Sequence, residues 1–419
     1  MLKKVAIPLW IILAYGECKR IVMNLKKCFS ILTVLLLSMS LCNCVCLAGN
    51  EVKRMDKGTT VHRETVVEQD PLTKQINEIC SSLSEEEKIA QMMFVGLSGT
   101  ALNTDDLQYL QKEHFGGVVL FDRNMVDVAQ VKLLNAEIQA KGSLVKIFGD
   151  KTVRLPMLIA VDAEGGLVLR MKDNWPYSVP SQETIGKSGN PTYAKMWSKI
   201  LGSTLNHMGF NVNFAPVADV DSTYERAYSK DFYTVTNFVS AAVDGYAEEG
   251  IICTLKHFPG IGRATMDPHF EGSVIKEDWS VLENTDLVPF KQAISTKDND
   301  KMMIMISHLT YLALDKDNPS SLSKKIVTEL LKDQVGFKGL VITDDLEMGA
   351  VSKHYSFEEM GVRAINAGVD LALVCHSHEH IMAVYKGLLS AYRMGKISRD
   401  RVDDAVKKII RVKLSLLKQ

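Results

Sequence analysis

The chain has almost no net charge and few cysteines that could form disulfide bonds in its folded domain. Its 49 Lys and Arg residues are offset by 50 Asp and Glu residues, so the sequence lacks the basic excess with which proteins attract nucleic acids. We therefore expect no nucleic-acid partner, and a neutral ligand such as a sugar fits this balance better than a polyanion. Five of the eight cysteines precede residue 49. The other three, Cys80, Cys253 and Cys375, are too few for a disulfide framework.

Several short enzyme motifs are also missing. The chain has no Walker loop, no dinucleotide fingerprint and no Gly-X-Ser-X-Gly elbow. Residues 376–380 read HSHEH, but histidines at these spacings do not all share one face of a helix. We interpret them as a surface cluster at the start of a helix rather than as a zinc site. We expect no metal and no cofactor.

The N-terminal residues resemble an export leader. Basic residues follow Met23, an apolar run covers residues 31–41, and a small-residue cleavage site ends at Ala48. The apolar run is short for a membrane span. We expect a signal peptide at residues 1–48, a linker at 49–71 and an exported catalytic domain at 72–419. An uncleaved leader is the alternative, and it would then be the only point of membrane attachment.

Beyond residue 72, short apolar segments alternate with amphipathic ones. Ser84 and Glu87 have the spacing of a capping box at a helix start, and residues 191–208 and 236–249 are predicted helices. Continuous apolar segments of this kind are typical of strands that are buried on both faces of a parallel sheet. The segments are residues 93–97, 117–121, 157–162, 211–216, 251–256, 303–308, 340–344 and 369–375. Eight such units predict a single (β/α)8 barrel of the TIM type, with a doubly wound sheet as the alternative.

Titratable side chains follow many of these predicted strands. In barrel enzymes the carboxyl ends of the strands carry the active site, so we expect these side chains to lie close together. They are Asp162, Arg226, Lys256, His257, His269, His308 and Asp344.

Two groups of side chains have the chemistry of catalysis. Alternation along a strand would send Asp344 and Asp345 to opposite faces, so that one points into the barrel mouth, although Asp344 could instead cap a helix starting near residue 346. Asp267 is close enough to His269 to orient its imidazole for acid–base chemistry, although a solvated loop is the alternative. Together these groups predict a hydrolase with a carboxylate nucleophile and a histidine acid/base.

Other side chains are candidates for binding. Lys256 and His257 offer hydrogen bonds to substrate hydroxyls, and the Asp162 carboxylate can accept hydrogen bonds from two neighbouring hydroxyls. Arg170 and Arg226, taken singly, could equally be ordinary surface charges.

Six segments, in this order, resemble glycoside hydrolase family 3, and specifically the bacterial β-N-acetylglucosaminidases that act on peptidoglycan fragments. The resemblance extends from about residue 76 to the C-terminus. The segments are GGVVLFDRN at 116–124, VDAEGG at 161–166 with Arg170, NFAPVADV at 213–220, ERAY at 225–228, KHFPGIGRATMDPH at 256–269 and TDDLEM at 343–348.

The resemblance implies a role for each matching residue. Asp344 would be the nucleophile, and His269, oriented by Asp267, would be the acid/base on a mobile loop, with retention of configuration. N-acetylglucosamine would be bound by Asp162, Arg170, Arg226, Lys256 and His257. The implied enzyme is an exo-β-N-acetylglucosaminidase that removes non-reducing terminal N-acetylglucosamine from peptidoglycan fragments or short chitooligosaccharides. We expect a monomer.

The chain departs from the family pattern at four positions. Ile261 stands where His is usual, Arg263 where Asp is usual, Pro268 where Ser is usual and Leu167 where Arg is frequent. Pro268 stiffens the link between the two acid/base residues. These changes leave a non-catalytic sugar-binding envelope protein as one alternative. A phosphorylase is another, because a histidine acid/base repels phosphate less than a carboxylate does.

Overall fold

A computed structural model of the protein describes residues 70–148, 151–222, 225–264 and 273–417. The predicted signal peptide and nearly all of the predicted linker lie outside these ranges, as do Asp267, Pro268 and His269. The described residues belong to one compact unit. Within them, no helix combines the length and the apolar character needed to cross a membrane.

Eight parallel strands form a barrel in which each strand pairs with its neighbours along the chain. They are β1 Met93–Gly96, β2 Gly117–Leu120, β3 Leu158–Val161, β4 Val212–Asn213, β5 Ile252–Phe258, β6 Met302–Ile306, β7 Leu340–Thr343 and β8 Ala372–Val374. β1 pairs with β8, and a parallel bridge between Ile342 and Leu371 joins β7 to the segment before β8. This closure confirms the predicted (β/α)8 barrel and its eight strand segments.

Every residue of the eight strands is buried. The strands form the wall between the barrel interior and the surrounding helices, which explains why their sequences are continuously apolar. Among the eight strands, β5 holds the most buried polar residues, Thr254, Lys256 and His257, whereas β4 and β7 hold one each, Asn213 and Thr343. Buried polar groups of this kind need partners, and those of Lys256 and His257 lie in the candidate site.

Helices surround the barrel and return the chain between strands. They are Pro71–Ser82, Glu85–Gln91, Thr104–Leu107, Val128–Gly142, Gln182–Gly186, Pro191–His207, Phe232–Glu248, Trp279–Asn284, Val288–Thr296, Gly349–Ser352, Phe357–Ala367, His378–Arg393 and Arg399–Leu416. The predicted capping box is present, since Ser84 and Glu87 exchange side-chain to backbone hydrogen bonds of 2.8 and 3.2 Å. The helix predicted from residue 236 begins earlier, at Phe232, because Asp231 caps it.

Some elements were not predicted. Gln108–Glu113 and Lys325–Gln334 are π-helices. An antiparallel hairpin joins Leu144–Phe148 to Lys151–Leu155. Two short ribbons pair Ala163–Gly165 with Val168–Leu169 and Val274–Ile275 with Thr310–Tyr311. The three cysteines of the domain are buried and free, and their lack of disulfide bonds agrees with their small number.

Candidate active site

A cavity of about 680 Å³ lies at the carboxyl ends of the strands. Residues that follow most of the strands line it, which confirms that this face gathers the polar side chains. Those that matter for the chemistry are Asp162, Glu164, Arg170, Asp219, Arg226, Lys256, His257, Asp344, Asp345 and His376.

Five charged side chains form a continuous network at one side of the cavity. The buried Lys256 Nζ lies 2.8 Å from an oxygen of Asp162 and 2.8 Å from an oxygen of Glu164. Arg226 donates to both oxygens of Glu164, at 2.9 and 2.8 Å. Arg170 donates to the second oxygen of Asp162 at 3.1 Å. All four predicted binding residues in this network are therefore brought together, and Glu164 joins them.

The network holds its members in their charged forms. Burial by itself would raise the pKa of both carboxyl groups, but the charges of the neighbouring cations outweigh it. As a result, the pKa of Asp162 lies well below its usual range and that of Glu164 falls to about 2. The two carboxylates in turn raise the pKa of Lys256 despite its burial. The cavity wall therefore presents fixed charged donors and acceptors, which suit hydroxyl groups.

A tight turn brings Arg170 back to Asp162. The ribbon Ala163–Gly165 reverses and pairs with Val168–Leu169, so that the Arg170 N–H donates to the Asp162 carbonyl at 3.2 Å. Gly165 has a φ of 101°, and a Cβ there would lie 2.3 Å from the carbonyl oxygen of Pro180. Only glycine suits this position.

His257 is held by Asp219, a fully buried carboxylate. One Asp219 oxygen lies 2.8 Å from His257 Nδ1, and the other accepts the backbone N–H groups of His257 at 3.0 Å and Ile261 at 2.9 Å. The ring therefore has its Nε2 left for the cavity that it lines. Asp219 was not among the predicted site residues, although it lies in the matching segment 213–220.

Asp344 follows β7 and lines the cavity. Its N–H donates to the Ile306 carbonyl at 2.9 Å, and one carboxylate oxygen accepts the Asp345 N–H at 2.9 Å. Burial by itself would raise its pKa, but His257, His308, the Asp345 N–H and Lys256 outweigh burial and lower it. An ionised carboxylate is what a nucleophile requires.

One expectation for this segment was wrong, and the alternative role of Asp344 as a helix cap is not observed. Asp345 also lines the cavity, because β7 ends at Thr343 and strand alternation no longer applies beyond it. Asp344 does not cap the next helix, which starts at Gly349 with Met348 as its N-cap residue.

His308 lies behind the site rather than in it. Its Nδ1 is 2.7 Å from Ser321 Oγ, its Nε2 is 2.9 Å from the Asp345 carbonyl oxygen, and burial lowers its pKa. It does not line the cavity. Its placement after β6 is as predicted, but its contacts support the Asp345 backbone.

The three histidines at 376–380 have separate partners. As predicted, they lie at the start of a helix, His378–Arg393. His376 Nε2 is 3.4 Å from an Asp345 oxygen, His378 Nδ1 is 2.7 Å from the Tyr109 hydroxyl and His380 Nδ1 is 2.7 Å from a Glu347 oxygen. The interpretation as a simple surface cluster is incomplete, because His376 lines the cavity.

One described group offers metal-ligand chemistry. Ligand atoms of Asp345, Glu347 and His376 lie within 4.8 Å of one another. However, both Glu347 oxygens already accept hydrogen bonds, among them the Cys375 N–H at 2.9 Å and the Ser377 N–H at 3.0 Å. The cationic Arg123 lies 3.1 Å from the other ring nitrogen of His376. These contacts disfavour a cation at this place.

The predicted acid/base pair, Asp267 and His269, lies outside the described residues. The segment that leads to it is described, and Ile261, Gly262 and Ala264 line the cavity. Arg263, the departure from the usual Asp, donates to the buried Asp286 at 2.9 Å and to Thr285 Oγ1 at 3.1 Å. Leu167, another departure, lines the cavity and is largely exposed.

The sequence of residues 84–412 matches the family model of the glycosyl hydrolase family 3 N-terminal domain. A beta-hexosaminidase of Nitrosomonas eutropha is 32% identical, over 68% of this chain and 82% of the relative. A beta-hexosaminidase A of Pseudoalteromonas piscicida is 29% identical over 76% of this chain, which spans only 56% of that longer relative.

Solved structures give the same result. A glycoside hydrolase family 3 beta-N-acetylglucosaminidase from a Paenibacillus species superimposes with a TM-score of 0.75 at 32% identity, covering 80% of this chain and 63% of that one. A beta-N-acetylhexosaminidase from Beutenbergia cavernae gives a TM-score of 0.71 at 26% identity, covering 79% of this chain and 98% of that one. The match over most of the chain and the barrel geometry agree, and the protein belongs to glycosyl hydrolase family 3.

Proposed function

We propose that this protein is a retaining exo-β-N-acetylglucosaminidase that acts on peptidoglycan fragments or short chitooligosaccharides. The observation that carries the proposal is the shared cavity of Asp344 and the charged network. A nucleophile held in its ionised form faces the same space as donors and acceptors suited to sugar hydroxyls. The names of the relatives support N-acetylglucosamine as the sugar.

The residues divide between binding and bond cleavage. Asp162, Arg170, Arg226, Lys256 and His257 would hold the terminal sugar. Asp344 would attack the anomeric carbon as the bond to the aglycone oxygen breaks, and His269, oriented by Asp267, would protonate that oxygen. Water would then attack the glycosyl-enzyme, give its proton to His269 and release Asp344, with retention of configuration after two displacements.

The inner side of the cavity supports action at a chain end. Lys256 and Glu164 are buried there, with exposures of 3% and 4%, and are in direct contact. A sugar bound against these buried groups would meet protein on that side, where a further sugar would otherwise lie. Hydrolysis would therefore remove terminal residues.

The test is release of nitrophenol from p-nitrophenyl N-acetyl-β-D-glucosaminide by the purified protein and by Asp344→Ala. Loss of turnover by about three orders of magnitude or more in the variant would support the nucleophile. Asp333→Asn, at an exposed carboxylate, is the matched control and should keep native rates. A fluorinated slow substrate should label Asp344, and a label on another residue would overturn the assignment.

The same assay separates the alternatives. Product analysis in phosphate buffer would reveal a sugar phosphate if the protein were a phosphorylase. Sugar binding by the folded native protein without turnover of either kind would favour the non-catalytic envelope protein.

We propose that the enzyme is exported, outside the cytoplasm, and that it is monomeric. Support for export comes from the leader-like residues 1–48 alone. Cell fractionation with N-terminal sequencing of the mature protein tests the location and the cleavage after Ala48. Light scattering during size-exclusion chromatography tests the monomer.

A further inference from the structure

A hairpin lies at the end of the barrel opposite the cavity. We call Leu144–Phe148 and Lys151–Leu155, with the preceding Lys141, the basic hairpin. The helix Val128–Gly142 runs back from the carboxyl end of β2, and the hairpin connects it to the start of β3. It therefore sits among the amino ends of the strands, whereas the cavity lies at their carboxyl ends. No residue of the hairpin lines the cavity.

The outward face of the hairpin is partly apolar. Strand pairing sets Val145 opposite Arg154 and Ile147 opposite Thr152, which places these four side chains on one face. Val145 is 43% exposed and Ile147 is 73% exposed. Antiparallel ribbons commonly point polar residues to solvent, whereas two of the four outward side chains here are aliphatic.

The inward face is mostly apolar. Leu144 and Leu155 are buried opposite each other, and Phe148 and Val153 pack against the core. Lys146, opposite Val153, forms an ion pair with Glu87 at 2.6 Å. Lys146 thus has a fixed partner inside, whereas Val145 and Ile147 on the outward face are left exposed to solvent. An aliphatic pair kept outward while a lysine is satisfied inside indicates a contact surface.

Exposed cations lie near the aliphatic pair. Arg154 shares its face, Lys151 pairs with Phe148 near the hairpin tip, and Lys141 lies in the last turn of the preceding helix. All three are exposed, and none of them forms an ion pair with another residue of the described ranges. Exposed aliphatic side chains with Lys and Arg nearby match the interface of an anionic bilayer, where cations meet phosphate groups and the apolar side chains enter the headgroup boundary.

We propose that the basic hairpin is a peripheral contact for anionic phospholipid membranes. This contact is separate from any attachment through the leader and does not depend on the proposed catalytic function. Since the hairpin and the cavity lie at opposite ends of the barrel, binding would hold the cavity away from the lipid and open toward the surrounding glycan.

The experiment measures sedimentation with vesicles. A chain of residues 68–419 suits it, because these residues form one compact unit with its own core and omit the apolar leader. Vesicles of equal parts phosphatidylglycerol and phosphatidylcholine are compared with pure phosphatidylcholine. Preferential binding to the anionic vesicles, weakened by added salt, is expected.

Two double variants and one control locate the contact. Val145→Ser with Ile147→Ser removes the aliphatic pair, and Lys151→Glu with Arg154→Glu reverses the charge. Each should lower the apparent vesicle affinity at least fivefold, with unchanged melting temperature and unchanged nitrophenol release. Leu133→Ser, at a residue that is also 73% exposed but lies on the helix Val128–Gly142, should bind as the native chain does.

Three results would overturn the proposal. They are equal binding to neutral and anionic vesicles, native affinity in either double variant, and a dimer in light scattering that the Val145 and Ile147 changes dissolve. The last result would make this face a contact between two copies of the chain.

Discussion

Asp219 binds His257 at two points, through the imidazole Nδ1 at 2.8 Å and through the backbone N–H at 3.0 Å. One buried carboxylate thus fixes both the rotation of the ring and the end of β5. Because the same carboxylate accepts the Ile261 N–H, the start of the segment that carries the predicted acid/base is tied to the same point.

Asp219→Asn should impair catalysis more than folding. The amide keeps the shape, but it cannot accept all three hydrogen bonds as the carboxylate does, so His257 loses its fixed orientation. We expect kcat/KM for the nitrophenyl substrate to fall about 10- to 100-fold. The control is Asp221→Asn, at an exposed carboxylate that pairs with the exposed Lys230. Native kinetics in Asp219→Asn would show that His257 does not depend on this carboxylate.

Glu164→Gln should weaken both stability and substrate binding. The substitution leaves Lys256 and Arg226 buried with one carboxylate fewer, and breaking a buried pair costs about 3–5 kcal/mol. We expect a lower denaturation midpoint in urea and a raised KM. Glu183→Gln, in the solvent-screened pair with Lys187, should change stability little. Equal effects of the two substitutions would contradict the importance of the network.

Arg263→Ala tests whether the ion pair between Arg263 and Asp286 positions the predicted acid/base. Loss of the contacts to Asp286 and Thr285 would remove the anchor of residue 263, just before the segment 265–272. A substrate with a poor leaving group needs protonation of its oxygen, whereas a dinitrophenyl glycoside needs little. We therefore expect kcat/KM to fall about 10-fold or more for N-acetylglucosamine oligomers and to change little for the dinitrophenyl substrate. Arg263→Lys should restore part of the loss, and equal losses for both substrates would refute the positioning role.

Lys413→Met should stabilise the fold, and more at neutral than at alkaline pH. Lys413 is fully buried, its Nζ donates to Gln91 Oε1 at 2.7 Å, and burial lowers its pKa to about 7. Between this value and the ordinary lysine pKa the unfolded chain binds more protons, so native stability rises with pH through that window. Below it, the full cost of burying the charge is present.

The methionine variant lacks this pH dependence. We expect it to be about 1–4 kcal/mol more stable than the native protein near pH 7, with the gain shrinking toward pH 10. Urea unfolding at several pH values measures the difference, with the exposed Lys386 as the site of a control substitution, Lys386→Met. A gain that is the same at every pH would mean that Lys413 does not titrate in this range.

The barrel could be predicted from sequence because its signal is local. Strands buried on both faces carry continuous apolar segments, and all eight were found, with ends within a few residues. The turn after β7 could not be placed so closely, so the side chains of Asp344 and Asp345 were wrongly assigned to opposite faces. Both in fact lie beyond the strand and line the cavity.

The partners of the predicted site residues were harder to find. Glu164 contacts Lys256 and Arg226, and Asp219 contacts His257. These partners lie in distant parts of the sequence, so no spacing within one segment predicts the contacts. A usable signal was present, since Glu164 and Asp219 both closely follow apolar strands in segments that resemble the family. The exposure of Val145 and Ile147 could not be predicted from residues 144–148, which read LVKIF, because an apolar segment does not show which of its faces is buried.

The pairing of β1 with β8 means that the barrel closes only when its last strand is in place. β8 ends at residue 374 and is the last strand to leave the ribosome, so the sheet stays an open ribbon with two unpaired edges until nearly the whole chain has emerged. Unpaired edges are templates for joining other chains. Docking of β8 between β7 and β1 is therefore the step that removes both free edges at which another chain could join.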